Sequence, residues 1–347
     1  MRAITVVPGR AGSAALEELP EPAGEGDVLV AGLALGICGT DDEIVGGEYG
    51  WAPPGRERLV LGHESLGRVL EAPQGTPVAP GDLVVGIVRR PDPVPCRCCA
   101  AGEWDMCRNG RYTERGIKEL DGFGAERWRV ESDFAVRVDP GLGDAGVLLE
   151  PASVVAKAWE HIDRIGARAC TRSDVALVTG AGPIGLLAAL LARGRGLEVH
   201  VLDLAEEGPK PEAVAALGAT YHCRKLPDGL APDVTLECTG VGQLVLDVMR
   251  RSAVGAIVCL TGLSSGGRTL EVDAGALNRS IVLENDVVFG SVNANRRHYE
   301  LAAEALAAAD RAWLDRLITR RVALEDWQSA LERGPDDMKV VIELGGR

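Results

Sequence analysis

Aromatic residues are scarce in this chain: 6 Trp, 4 Tyr and 3 Phe make up 4% of its 347 positions. That excludes an interior built on ring stacking and leaves small aliphatic side chains to fill it, as in Ala- and Gly-rich α/β proteins. Cations are in deficit too. With 37 Lys and Arg against 51 Asp and Glu, the formal charge is −14, which argues against nucleic acid or an anionic membrane as partner, since both demand a cationic face. No apolar run approaches the ~18 residues of a membrane span. Residues 1–8 carry one Arg and no apolar signal core, so the expected compartment is the cytoplasm. Internal repeats, low-complexity linkers and heptads are also missing.

What is present is more telling. The length suffices for two domains with a large core. Nine cysteines without a secretory signal read as metal ligands and buried thiols rather than disulfides. The first 150 residues are rich in Gly and Pro, with short apolar runs at 27–33, 65–70 and 83–88 between turn signals such as Pro80-Gly81-Asp82. This pattern predicts an irregular, β-rich domain. After Glu150-Pro151 the pattern changes. Helical stretches at 152–165 and 184–193 alternate with strand-like runs at 175–179, 198–202, 234–238, 256–261 and 287–291. Such alternation predicts parallel βαβ units with right-handed crossovers. The tail holds helix-like stretches at 298–309 and 324–333 and a closing strand at 339–344 that would return to the first domain. The expected organisation is α/β: a catalytic domain over 1–153, a nucleotide-binding domain over 154–294 and a returning segment over 295–347.

Gly180-Ala181-Gly182-Pro183-Ile184-Gly185 follows a predicted strand and opens a predicted helix. In that context the glycines serve a tight turn, close approach of backbone to a pyrophosphate, and packing of helix on strand. The helix N-terminus offers free N–H groups to the phosphates. Asp203 ends the next strand, where an acid accepts a ribose 2′-hydroxyl and repels a 2′-phosphate. No Arg or Lys follows it until Lys210, which favours NAD, with NADP as the alternative.

Cys38, His63 and either Glu64 or Glu150 offer the thiolate, imidazole and carboxylate of an open, catalytic zinc site. Thr40, two residues from the thiol, has a hydroxyl suited to carrying a proton from a bound alcohol. A second cluster, Cys96, Cys99 and Cys107 with a fourth ligand from Asp92 or Cys98, suits a closed structural zinc lobe.

Over essentially its whole length the chain resembles the zinc-containing medium-chain dehydrogenase/reductase superfamily, and within it the archaeal-type glucose 1-dehydrogenases. The likeness is carried by Cys38-Gly39-Thr40-Asp41, Leu61-Gly62-His63-Glu64, the run from Tyr112 to Ile117 with Asp121-Gly122-Phe123, Leu149-Glu150-Pro151, and Gly290-Ser291-Val292-Asn293. The resemblance implies a GroES-like catalytic domain from both chain ends and a Rossmann domain between them. It implies zinc on Cys38 and His63 with Glu64 and Glu150 sharing or alternating. It places Thr40, Glu114 and Glu150 near a sugar and Asn293 where sugar and nicotinamide meet. Leu204, Thr261, Gly262, Val292 and Lys339 fall at cofactor-contacting positions. Three departures stand out: Asp92 or Pro93 replaces the first cysteine of the family's lobe, Val88 replaces a sugar-binding Asn, and Leu204-Ala205 replaces an Arg pair that holds the 2′-phosphate.

The function expected from these features is oxidation of an aldose, β-D-glucose first, at C1 to the 1,5-lactone, with hydride transfer to NAD(P). A polyol or secondary-alcohol dehydrogenase of the sorbitol, inositol or threonine type is the alternative. A non-catalytic NAD-binding module fits less well, since a pure binder gains nothing from the Thr40 hydroxyl. The expected partner is a small sugar, and the expected assembly a homo-dimer or homo-tetramer.

Overall fold

The structure is a computed structural model that describes residues 1–23, 26–169, 173–264, 266 and 269–345. The chain forms two compact units, Met1–Ser153 with Asn293–Arg347, and Val154–Val292. Asn293 and Ala294 thus lie with the first unit rather than with the nucleotide-binding half.

The first unit is organised around one long strand, Val28–Ile37. It pairs antiparallel with Glu64–Glu71, Arg127–Val130 and Lys339–Glu343. Because neighbours and helices cover it, burial along it is nearly continuous, which is why its sequence shows a run of small and apolar residues rather than alternation. The sheet continues through Leu83–Gly86 and Ala135–Arg137 on one side and Ile318–Ala323 on the other. Its core includes Leu35, Val84, Val130, Ile342 and the Phe123–Trp128 pair, whose ring centroids are 4.7 Å apart. Each such aliphatic side chain contributes ~1.5–3 kcal/mol by burial. The run expected as one strand over 83–88 stops at Gly86 and resumes as Arg89–Arg90, which pairs with Thr113–Arg115. The helix expected over 324–333 is a 3-10 turn, Leu324–Asp326, followed by the short helix Trp327–Leu331. Leu324 and Trp327 both reach the core.

Arg90 anchors this unit electrostatically. Its Nε and Nη2 donate to Glu131 Oε2 at 3.0 and 2.7 Å, its guanidinium lies 4.0 Å from the centre of the Phe134 ring, and Arg115 Nη2 is 3.6 Å from the same carboxylate. Burial opposes ionisation of Glu131, but the hydrogen bonds and charge of Arg90, with Arg115, outweigh it and bring its pKa down to about 2. A pKa depressed on folding stabilises above the unfolded value of ~4.3 and stops doing so as pH falls toward the folded one. Glu131→Gln should therefore cost stability at pH 7, and the gap to wild type should narrow as pH drops from about 4.3 to 3. The Glu131 side chain is 43% exposed, so screening limits the effect to ~1 kcal/mol. Urea unfolding at both ends of that range checks it; a gap that widens toward pH 3 would contradict the assignment.

The second unit holds a parallel sheet in the order Thr220–Cys223, Glu198–Asp203, Val175–Thr179, Val234–Glu237, Ile257–Leu260, Val287–Gly290. Numbered along the chain this is 3-2-1-4-5-6, the doubly wound arrangement in which ligands sit beyond the strand ends where the order reverses. Leu177, Leu202, Val248 and Val258 form part of its core. The helix Pro183–Gly194 starts with Pro at its first position, where no N–H is missed, and buries Leu186, Leu187, Ala188 and Ala189. No helix among the described residues is long and apolar enough to cross a membrane.

Candidate metal centre and nucleotide loop

Cys38 ends the central strand and caps the short helix Gly39–Val45. Its backbone N–H donates to Asp41 Oδ2 at 3.0 Å, so the fourth residue of the Cys-x-x-Asp run pins the cap. His63 lies just before the neighbouring strand Glu64–Glu71. Cys38 Sγ and His63 Nε2 are 3.0 Å apart, and with Glu64 their donor atoms all lie within 4.8 Å of one another. Gly36 faces Glu64 across the sheet; a Cβ there would come within 2.1 Å of Glu64 Oε2, so glycine is what admits the carboxylate.

Behind the imidazole stands Asp41, fully buried, with Oδ1 3.4 Å from His63 Nδ1. Among the described residues neither atom finds a hydrogen-bond partner. Burial works against the imidazolium, yet the Cys38 and Asp41 charges hold its pKa well above the ordinary value. Thiol, imidazole and carboxylate converge with an orienting acid behind the ring, and this donor set suits zinc bound through Nε2 with the Nδ1 proton turned to Asp41.

Lys339 is placed differently from the expected cofactor contact. Its ammonium donates to Glu64 Oε1 and Oε2 at 2.7 and 2.5 Å and to Ile37 O at 3.1 Å. All three of its donors thereby have acceptors within the first unit. Glu150 opens the helix Leu149–Gly166 and falls outside the close-set group of Cys38, His63 and Glu64. Its carboxyl still senses them: burial, then Glu64, push its pKa up to about 7, against His63 and Lys339. Thr40 is half-buried in the first turn after Cys38. Val88 is buried, its N–H donating to Tyr299 Oη at 3.3 Å.

Glu114 and Asn293, distant in sequence, meet in space. Asn293 Nδ2 donates to Glu114 Oε1 at 2.6 Å, and Arg89 Nε and Nη2 donate to the same oxygen at 3.1 and 2.9 Å. Arg89 also lies 3.7 Å from the centre of the Tyr112 ring. Sequence reasoning missed Arg89, for which no local signal exists. It also missed Asp41, whose position three residues after Cys38 was legible as a cap.

Cys96, Cys99 and Cys107 converge as a second group. Cys96 is held at about 6 by backbone N–H groups of Arg108 and Cys99, while burial pushes Cys99 up to about 11. Neither expected fourth ligand joins them. Asp92 Oδ2 accepts from Asn109 Nδ2 and Arg111 Nε at 2.8 and 3.2 Å, and Oδ1 accepts from Val94 N at 2.8 Å. Cys98 sits one residue from Cys99 on the helical turn Arg97–Ala100, ~100° around it. Three thiols fit a metal-thiolate lobe; the fourth position is supplied by neither residue.

In the second unit the glycine loop lies between the strand Val175–Thr179 and the helix Pro183–Gly194. A Cβ on Gly185 would come 1.8 Å from Gly180 O, so helix and turn approach too closely for any side chain. Asp203 Oδ2 accepts from Ala181 N at 2.6 Å, and Oδ1 from Leu204 N at 2.7 Å, which ties the loop to the end of the next strand. Lys210 Nζ stands 3.5 Å from Asp203 Oδ1, so a cation does accompany this acid. Thr261 Oγ1 and Gly262 N both donate to Glu237 O at 2.9 Å. The Glu237 carboxylate, fully buried, accepts from Thr239 N and Gly240 N. It fixes the loops at the strand ends; an acid closing an apolar strand was its only sequence signal. Val292 is 55% exposed, and its carbonyl accepts from Lys157 Nζ at 3.0 Å.

The two units and their sites define the class, an alcohol-dehydrogenase-type chain. The family model of the alcohol dehydrogenase GroES-like domain matches residues 24–140, and that of the glucose dehydrogenase C-terminus matches residues 143–344. The chain belongs to the glucose dehydrogenase family of zinc-containing medium-chain dehydrogenases. It is 38% identical to a glucose 1-dehydrogenase of Methanocella arvoryzae, over 99% of this chain and 100% of that one. It is 39% identical to a glucose 1-dehydrogenase of Thermoproteus tenax, over 99% of each. A solved glucose dehydrogenase of Haloferax mediterranei, in complex with NADP, Zn and gluconolactone, superposes with a TM-score of 0.90 at 31% identity, covering 99% of both chains.

Proposed function

We propose that this protein oxidises an aldopyranose, β-D-glucose first, at C1 to the 1,5-lactone with a nicotinamide dinucleotide as acceptor. The observation that carries the reading is the convergence of Cys38, His63 and Glu64 with Asp41 behind the ring. Full-length relatedness to glucose dehydrogenases supports the substrate class. When bound, zinc supplies a Lewis acid that acidifies a hydroxyl, and the dinucleotide supplies the hydride acceptor.

Cys38 and His63 hold the metal, with Glu64 or Glu150 completing the site. Asp41 keeps the His63 proton on Nδ1, leaving Nε2 as the ligand atom. Thr40 passes the hydroxyl proton toward solvent. Glu114, Glu150 and Asn293 orient ring hydroxyls, and polar groups of this kind discriminate strongly against sugars that lack the matching hydroxyl. In the second unit, residues 180–185 cradle the pyrophosphate and Asp203 receives the ribose, beside Leu204 and Lys210. Thr261, Gly262 and Val292 line the nicotinamide end.

A homo-dimer or homo-tetramer is part of the reading. Val287–Gly290 is one of the sheet's two edge strands, and the helix Ala274–Glu284 before it has no buried residue, with Val282 and Leu283 each 64% exposed. Burying that apolar face against a second copy would remove it from water. The described cysteines are free thiols, which suits the cytoplasm.

The test is the initial rate of reduced-cofactor formation with glucose, galactose, xylose and sorbitol, each with NAD and NADP. Glucose turnover abolished by a zinc chelator is expected. Turnover of sorbitol alone would replace the sugar assignment by the polyol one.

A further inference from the structure

We propose that Asp105, in the thiol lobe, is a positioning residue for sugar recognition, because it closes a ring of hydrogen bonds that fixes Glu114. The inference rests on the reading of Glu114 as a sugar-orienting carboxylate. Asp105 lies in the single 3-10 turn Trp104–Met106, between Cys99 and Cys107, and is 6% exposed. Two arms leave it. On one, its carboxylate Oδ1 accepts from Asn295 Nδ2 at 2.7 Å. Asn295 caps the helix Arg296–Ala308, its own N–H donating to His298 Nδ1 at 3.1 Å. Two residues earlier Asn293 sits at φ 63°, a left-handed conformation that turns its amide to Glu114 Oε1. Asn is one of the few side chains that enter this region at modest cost. On the other arm, the Asp105 backbone carbonyl accepts from Arg89 Nη1 at 3.1 Å, while Arg89 Nε and Nη2 donate to Glu114 Oε1.

Both arms end on one oxygen. Glu114 Oε1 takes donors from Asn293 and twice from Arg89, whereas among the described residues Oε2 has no hydrogen-bond donor. The ring therefore sets which carboxylate oxygen is occupied and where the other points, and Oε2 is the atom left for a sugar hydroxyl. Asp105 touches neither sugar nor dinucleotide in this scheme; it acts through Asn295, Asn293 and Arg89. The lobe thereby becomes part of the specificity apparatus.

The experiment compares Asp105→Ala, Asp105→Asn and Asn295→Ser with wild type, measuring KM for glucose, KM for the dinucleotide, kcat and the zinc bound per chain. Asn at 105 keeps a carbonyl acceptor for Asn295, and Ser at 295 keeps the helix cap while too short to reach Asp105. Loss of a hydrogen bond to a charged group predicts a glucose KM raised ~10-fold in Asp105→Ala and Asn295→Ser. In both, kcat, dinucleotide KM and zinc content should stay within about twofold, and Asp105→Asn should behave as wild type. Should Asp105→Ala fail to fold, Asn295→Ser decides by itself. An unchanged glucose KM in either folded variant, or kcat falling in step with it, overturns the proposal while wild-type glucose turnover stands. A wild type inert toward every aldose overturns the sugar reading and this inference with it.

Discussion

Replacing Cys38 by Ser or His63 by Ala will lower sugar turnover by ~10³-fold or more while dinucleotide affinity stays within about twofold. Both residues belong to the first unit, at the end of the central strand and the start of its neighbour. Losing either removes a third of a three-ligand set and with it the Lewis acid, whose charge stabilisation amounts to several kcal/mol. At ~1.4 kcal/mol per tenfold, ~4 kcal/mol already accounts for the expected loss. The phosphate loop and Asp203, by contrast, are held by the second unit's own strands and by their mutual hydrogen bonds. Steady-state kinetics with a direct dinucleotide titration separates the two effects. A well-folded His63→Ala protein that no longer binds dinucleotide would break this division of labour.

Lys339→Met should destabilise the metal-stripped protein by ~3–5 kcal/mol, because it strands a buried carboxylate. The Lys339 and Glu64 side chains are only 2% and 3% exposed, and Nζ is within hydrogen-bond distance of both carboxylate oxygens. Desolvation makes such a pair weak as a net source of stability, yet breaking it leaves one charge with neither water nor partner. Adding Glu64→Gln removes that charge, so the double variant should recover much of the loss. Urea unfolding of the four proteins gives the coupling energy directly. Equal losses in single and double variants would mean that Lys339 acts through packing alone.

Legibility in the sequence followed sequence distance. The phosphate loop was readable because strand, turn and helix are contiguous from Val175 to Gly194 and each glycine has a local duty. Cys38 and His63 were readable because a thiol and an imidazole in short, turn-flanked runs match a ligand chemistry. What stayed hidden was made by contacts between remote residues. Glu64 and Lys339 are 275 residues apart, Glu114 and Asn293 are 179, and Asp105 and Asn295 are 190. No periodicity or spacing links such pairs. Asp92 is instructive: its place in the sequence suggested a metal ligand, yet it lies outside the close-set group of Cys96, Cys99 and Cys107, and its carboxylate bonds instead to Asn109, Arg111 and Val94.

By itself, then, the sequence determined the order of strands and helices, the glycine loop and the residue types available to zinc, since these depend on backbone propensity, local turns and side-chain chemistry. The tertiary structure alone decided which of those side chains are free to act. Pairing of Lys339–Glu343 with Val28–Ile37 sets Lys339 against Glu64, and pairing of Arg89–Arg90 with Thr113–Arg115 sets Arg89 against Glu114. Burial drives most such polar groups to find a partner, and only the folded sheet says which partner is within reach.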